Sequence, residues 1–129
     1  MALVLVVDDD LPTCHMVGRV LEAEGYQVAL CTKGVYCYPR VRELQPDLVI
    51  LDLKMPELSG VEVLRVIRSD QKLKHIPVLL YSASIREFQS VDPSLLEQRV
   101  ALLEKPFSID ELLQKIDHLT STTEPSQPV

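Results

Sequence analysis

The chain has 129 residues, 47% of them hydrophobic and 25% charged, which suits the core of one ordinary domain and excludes disordered and fibrous classes. A formal net charge of -6 argues against direct binding of nucleic acid or an anionic membrane, and no apolar run approaches the roughly 18–20 residues that span a bilayer. With no signal-peptide pattern and three cysteines, Cys14, Cys31 and Cys37, lacking CxxC spacing, the chain is expected to be cytoplasmic, its thiols reduced and buried.

Leu3 to Val7 is a short, unbroken apolar run that breaks abruptly into Asp8, Asp9 and Asp10; such a run reads as a strand buried on both faces. Asp10 suits the cap of a first helix with Pro12 in its first turn, and Cys14, Val17 and Leu21 keep helical spacing up to a turn at Gly25. Val28 to Cys31 is the second strand, and Gly34 marks the turn after it. Pro39 falls within the second helix, which therefore starts late, near Tyr38, or is kinked. Gln45-Pro46-Asp47 separates that helix from a third strand, Leu48 to Leu51.

The third helix is announced by the capping-box spacing of Ser59 and Glu62 and by Val61, Leu64 and Ile67. Val78 to Tyr81 is the fourth strand, and a second capping box, Ser84 and Glu87, follows it. Asp92-Pro93 interrupts that helix and reads as a fresh N-cap with proline at the first helical position, so a short turn and a second short helix are expected. Val100 to Leu103 is the fifth strand, and the capping box Ser108 and Glu111 opens a last helix with Ile109, Leu112, Leu113 and Ile116. The closing "STTEPSQPV", residues 121–129, has no periodicity and reads as a disordered tail or the stub of a linker, leaving 1–120 as the folded unit. This alternation predicts an α/β fold with a five-stranded, doubly wound parallel sheet, right-handed crossovers and helices on both faces.

On that scaffold Asp8 and Asp9 end the first strand, Asp52 the third and Ser82 the fourth, while Lys105 lies just past the fifth. The carboxyl ends of parallel strands share one edge, where ligands bind at the reversal of strand order. If the first and third strands are neighbours, Asp9 and Asp52 meet. Carboxylates so clustered raise one another's pKa unless a cation intervenes, and Mg2+ suits an all-oxygen site that also accepts a phosphate oxygen. Lys105 adds a second positive charge and Ser82 a hydroxyl, which together describe a phosphoryl pocket. Asp52 then stands as the carboxylate nucleophile of an aspartyl phosphate, with Asp8 and Asp9 holding the metal.

The motifs "VVDDD", "PDLVILDLKMPELSG", "IPVLLYSAS" and "LEKPF", in this order and approximate spacing, closely resemble the receiver domain of two-component response regulators over about Ala2 to Leu119. The resemblance implies a flavodoxin-like strand order 2-1-3-4-5 and phosphorylation of Asp52 from a histidine kinase or phosphotransfer protein, or from a small acyl phosphate, with Mg2+. It implies Asp9 and Asp52 as direct metal ligands, the Lys54 carbonyl as a further ligand, Asp8 acting through water, and Ser82 and Lys105 on the phosphoryl oxygens. The Lys105-Pro106 bond is then expected to be cis. The downstream partner is an unknown protein or an output domain beyond this chain.

Departures from the family pattern are equally specific. Leu102 stands where the family carries a switching aromatic, Gln98 and Arg99 replace its Gly-Ala, and Lys54 and Ser84 occupy positions that tune phosphoryl lifetime. A receiver-like interaction module that acts independently of phosphorylation is therefore the alternative. A stand-alone aspartyl-phosphate phosphatase is disfavoured because Lys54 replaces the acid/base carboxylate such enzymes need. A flavin-binding relative is disfavoured by the absence of a Ser/Thr/Gly-rich phosphate loop after the first strand. His15, His75 and His118 are expected to be solvated or structural, and Tyr36, Tyr38 and Phe88 to be packing residues.

Overall fold

The computed structural model describes residues 2–121 except 57, 84, 90, 97 and 98. In chain order the elements are β1 (Leu3–Val7), α1 (Leu11–Ala23), β2 (Gln27–Cys31), a 3-10 turn (Gly34–Tyr36), α2 (Cys37–Leu44), β3 (Leu48–Asp52) and α3 (Gly60–Ser69). They continue with β4 (Val78–Ser82), α4 (Ile85–Gln89), α5 (Pro93–Leu96), β5 (Val100–Glu104) and α6 (Ile109–Ser121). The Ser84–Glu87 capping box, Gln98 and residues 122–129 of the expected tail lie outside the described residues.

All strand pairs are parallel and the sheet order is β2-β1-β3-β4-β5, so chain order reverses between β1 and β3. Alternate strand residues face opposite apolar layers, as the period-two pleat requires. Leu5, Val7, Val49, Leu51, Val78 and Leu80 pack with α2 and α3 residues such as Val41, Leu64 and Ile67. Val4, Val6, Leu48, Ile50 and Leu79 pack on the other face with Cys14, Val17 and Leu21 of α1 and Leu112 and Ile116 of α6. Helices thus cover both faces, and β3 and β4 are buried along their full length. The edge strands differ from the expectation of complete burial: β2 and β5 are mostly half-buried, because each has a neighbour on one side only.

The local signals act as their chemistry dictates. Asp10 caps α1, accepting from the Thr13 N–H and hydroxyl; Ser59 and Glu62 form a reciprocal capping box on α3. Ser108 and Glu111 make the same exchange at α6. The 3-10 turn lets α2 begin at Cys37, which puts Pro39 in the first turn, where its missing N–H costs no helical bond. Asp92 accepts from the Ser94 N–H and hydroxyl, each at 3.0 Å, and α5 starts at Pro93. Arg99 adopts a left-handed φ of 58°. Its guanidinium donates to the His75 and Leu119 carbonyls at 2.9 and 3.3 Å, tying the start of β5 to the β4 approach and to α6.

Candidate functional site

Asp8 follows β1 and continues its ladder, its N–H donating to the Cys31 carbonyl at 3.1 Å. The chain then folds back on itself: the Asp10 N–H donates to Asp8 Oδ1 at 2.9 Å, which fixes the Asp8 carboxylate as α1 begins. Asp52 is the last residue of β3, and the Lys54 N–H donates to its Oδ1 at 3.1 Å. Ser82 ends β4, and its carbonyl accepts from the Lys105 N–H at 2.8 Å, which brings the residue after β5 to the pocket. The Lys105-Pro106 peptide bond is cis.

The topology therefore gathers Asp8, Asp9, Asp52, Ser82 and Lys105 at the carboxyl edge of the sheet, beside the reversal of strand order. Asp8, Asp9 and Asp52 each offer a carboxylate oxygen, and these lie within 4.8 Å of one another. Asp8 and Asp52 are buried, whereas Asp9 is exposed at the rim. Lys105 Nζ bridges the two buried carboxylates, 3.2 Å from Asp8 Oδ2 and 3.4 Å from Asp52 Oδ2. Ser82 is buried at the end of β4, and the Lys54 side chain is exposed.

Burial pushes the Asp52 carboxyl up to about 6, and the nearby Asp8 carboxylate adds to the rise; the Lys54 N–H and the Lys105 ammonium oppose it. One lysine thus leaves the carboxylates under-neutralised. An all-oxygen donor set with surplus negative charge suits a hard divalent cation, and residues Asp8, Asp9 and Asp52 fit Mg2+. Such an ion would offset the surplus negative charge of the three carboxylates.

Two residues at the pocket escaped the sequence reading. Tyr81 is fully buried, its hydroxyl donates to Asp8 Oδ2 at 2.7 Å, and Lys105 Nζ lies 4.4 Å from its ring centroid. Burial, with Asp8 nearby, drives its phenol far above the ordinary value. The available signal was a tyrosine in the aliphatic strand "VLLYS", since a buried phenol demands a hydrogen-bond partner. Gly60 is the other. A Cβ there would stand 2.5 Å from the Asp52 carbonyl oxygen, so α3 rests directly on the backbone behind Asp52. The signal was the glycine directly after the cap in "ELSG".

Among the remaining candidates, the Cys14 thiol donates to the Asp8 carbonyl at 3.2 Å, beside the pocket. His15, His75 and His118 are exposed and the three cysteines are buried. Tyr38 donates to Asp70 at 2.7 Å, and Phe88 packs against the core. Tyr36 corrects the expectation of packing: it ends the 3-10 turn that precedes α2 and is 58% exposed. Leu102 is half-buried against the layer that holds Phe88 and Leu96.

A family profile described as "Response regulator receiver domain" matches residues 4–117. The DNA-binding response regulator MtrA of Mycobacterium tuberculosis is 36% identical over 115 residues, covering 88% of this chain and 48% of that protein. The polar-differentiation response regulator DivK of Brucella ovis is 29% identical, covering 88% and 91%. The chain thus spans about half the length of relatives such as MtrA and nearly all of DivK. Among solved structures, the Vibrio cholerae chemotaxis protein CheY4 superposes with a TM-score of 0.79 at 27% identity, over 92% of this chain and 98% of that one. The Clostridium thermocellum receiver domain gives a TM-score of 0.84 at 25% identity, over 95% and 97%. Fold, strand order and sequence agree, and the chain belongs to the response regulator receiver-domain family of two-component systems.

Proposed function

We propose that this chain is a phosphorylation-driven signalling switch in which Asp52 accepts a phosphoryl group with Mg2+ and partner binding changes in response. The observation that carries the reading is one side chain's setting. Asp52 ends β3 in a buried position, within ligand reach of Asp8 and Asp9 and 3.4 Å from the Lys105 ammonium.

The donor is the phosphohistidine of a histidine kinase or phosphotransfer protein, or a small acyl phosphate. An Asp52 carboxylate oxygen forms the new O–P bond as the donor's N–P or O–P bond breaks; the leaving group keeps the bonding electron pair and, for imidazole, takes up a proton. Asp8, Asp9 and Asp52, with the Lys54 carbonyl as a further ligand, would hold Mg2+, which supplies charge neutralisation at the phosphoryl oxygens. Lys105 leaves its bridge between the carboxylates for a phosphoryl oxygen, and the Ser82 hydroxyl donates to another. The added charge of roughly -1.5 to -2 is the signal. Residues 1–120 form the receiver unit, and the target is a separate protein or an output domain outside this chain.

Intact mass after incubation with Mg2+ and acetyl phosphate tests the reading, with Asp52→Asn and chelator controls. A gain of one phosphoryl group in the parent alone, lost with chelator, supports it; a folded parent that gains none overturns the phosphoacceptor assignment. One specific feature favours the second reading, a constitutive interaction module. Leu102 is already packed against the apolar layer, so the surface near β5 lacks the rotating aromatic typical of the family. That module would bind its partner equally well with Asp52→Asn.

A further inference from the structure

We propose that Tyr81 is a positioning residue of the acidic pocket, its hydroxyl fixing the Asp8 carboxylate while its ring seats the Lys105 ammonium. The inference rests on the phosphoacceptor reading above and adds a residue to that site. Tyr81 points to the α1/α6 face of β4 and stacks on Phe107, with ring centroids 5.7 Å apart and planes 22° from parallel. Its ring is therefore fixed on one side by packing, and its hydroxyl is aimed at one atom, Asp8 Oδ2, at 2.7 Å.

Asp8 is held from three directions. The Asp10 N–H takes Oδ1 at 2.9 Å, while the Tyr81 hydroxyl and Lys105 Nζ share Oδ2 at 2.7 and 3.2 Å. Lys105 is the partner that must leave to meet a phosphoryl oxygen. When it turns, Tyr81 is the side chain that still occupies Oδ2, so Asp8 keeps its orientation toward the cation through the reaction. The Tyr81 ring face, 4.4 Å from Nζ, also attracts the ammonium and keeps it over the pocket. Donors that orient a metal-binding carboxylate govern metal affinity, typically by 10–100-fold.

Tyr81→Phe deletes the hydroxyl and keeps the ring. Titration calorimetry is expected to show Mg2+ binding weakened about tenfold in a variant that remains folded in chelator. In an Asp8→Asn background the same substitution should alter Mg2+ affinity by less than about twofold, because the hydroxyl no longer has a carboxylate to orient. A second readout needs no variant: in the parent labelled with 13C-tyrosine, the Tyr81 ring signal should shift on adding Mg2+. Parent-like Mg2+ affinity in Tyr81→Phe, a loss that persists in the Asp8→Asn background, or a Tyr81 signal indifferent to Mg2+ would each overturn the proposal. Where the parent still takes up a phosphoryl group in these cases, the phosphoacceptor reading stands. A parent that neither binds Mg2+ nor gains mass overturns both.

Discussion

Lys105 Nζ stands 3.4 Å from Asp52 Oδ2 while remaining 3.2 Å from Asp8 Oδ2, so a single ammonium joins carboxylates from two neighbouring strands. Deleting it leaves both charges buried and facing each other, and breaking a buried ion pair from one side costs about 3 kcal/mol. Lys105→Met keeps most of the stem and removes the charge. Thermal unfolding in chelator is expected to show that loss, and millimolar Mg2+ should restore much of it by replacing the missing positive charge. A loss of equal size with and without Mg2+ would show that Lys105 acts only through its packing.

Asp52 carries a pH signature of opposite sign to an ordinary carboxylate. Burial raises its folded pKa to about 6, so the folded protein binds this proton more readily than the unfolded chain. The group therefore costs nothing below about pH 4, and its cost grows as pH rises through about 6. Asp52→Asn removes the charge, and in chelator near neutral pH it should be more stable than the parent by about 3 kcal/mol. The advantage should vanish toward pH 4, where both chains are neutral at this position. Mg2+ should close or reverse the difference, since only the parent gains from binding it. A pH-independent difference in melting temperature would refute the assignment of the raised pKa to Asp52.

What the sequence revealed follows a physical division. Strands were legible because β1, β3 and β4 are short aliphatic runs, and helix starts because Asp10, Ser59 and Ser108 must satisfy free N–H groups within a few residues of themselves. The candidate site was legible because parallel topology carries Asp8, Asp52 and Ser82 to one edge. Tyr81 and Gly60 were not, since their roles depend on partners far off in sequence or on backbone approach: Tyr81 meets Asp8 across the sheet, and Gly60 meets the Asp52 backbone. The 3-10 turn that ends at Tyr36 was hidden for a similar reason, because Pro39 signalled a disturbance without specifying how the chain would absorb it.

The cysteines are predicted to be inert in the folded state. Burial pushes the Cys14 thiol up to about 11 and that of Cys37 to about 12, and Cys31 is buried with its thiol donating to the Lys33 carbonyl at 3.2 Å. Thiolate is the reactive form, so iodoacetamide at mildly alkaline pH should label none of the three until denaturant is added. Mass spectrometry after timed labelling reads this directly. Rapid modification of any one in the native protein would place that thiol nearer the solvent than the structure does.

Gly60 sets two familiar effects against each other. At a helical position Gly→Ala ordinarily stabilises by about 1 kcal/mol, yet here the added Cβ would lie 2.5 Å from the Asp52 carbonyl oxygen and 2.8 Å from Leu53 Cα. Both are backbone atoms and cannot rotate away. The Gly60 N–H also donates to the Leu53 carbonyl at 2.9 Å, so α3 cannot retreat without giving up that bond. Overpacking should win, and Gly60→Ala is expected to destabilise the fold by about 2 kcal/mol. Because the displaced backbone belongs to Asp52, phosphoryl uptake from acetyl phosphate should slow as well, under conditions where the variant remains folded. Denaturant unfolding and the labelling rate together decide the matter. A variant that gains stability as an ordinary helical position would, and keeps the parent rate, would show that α3 can move off the strand without disturbing Asp52.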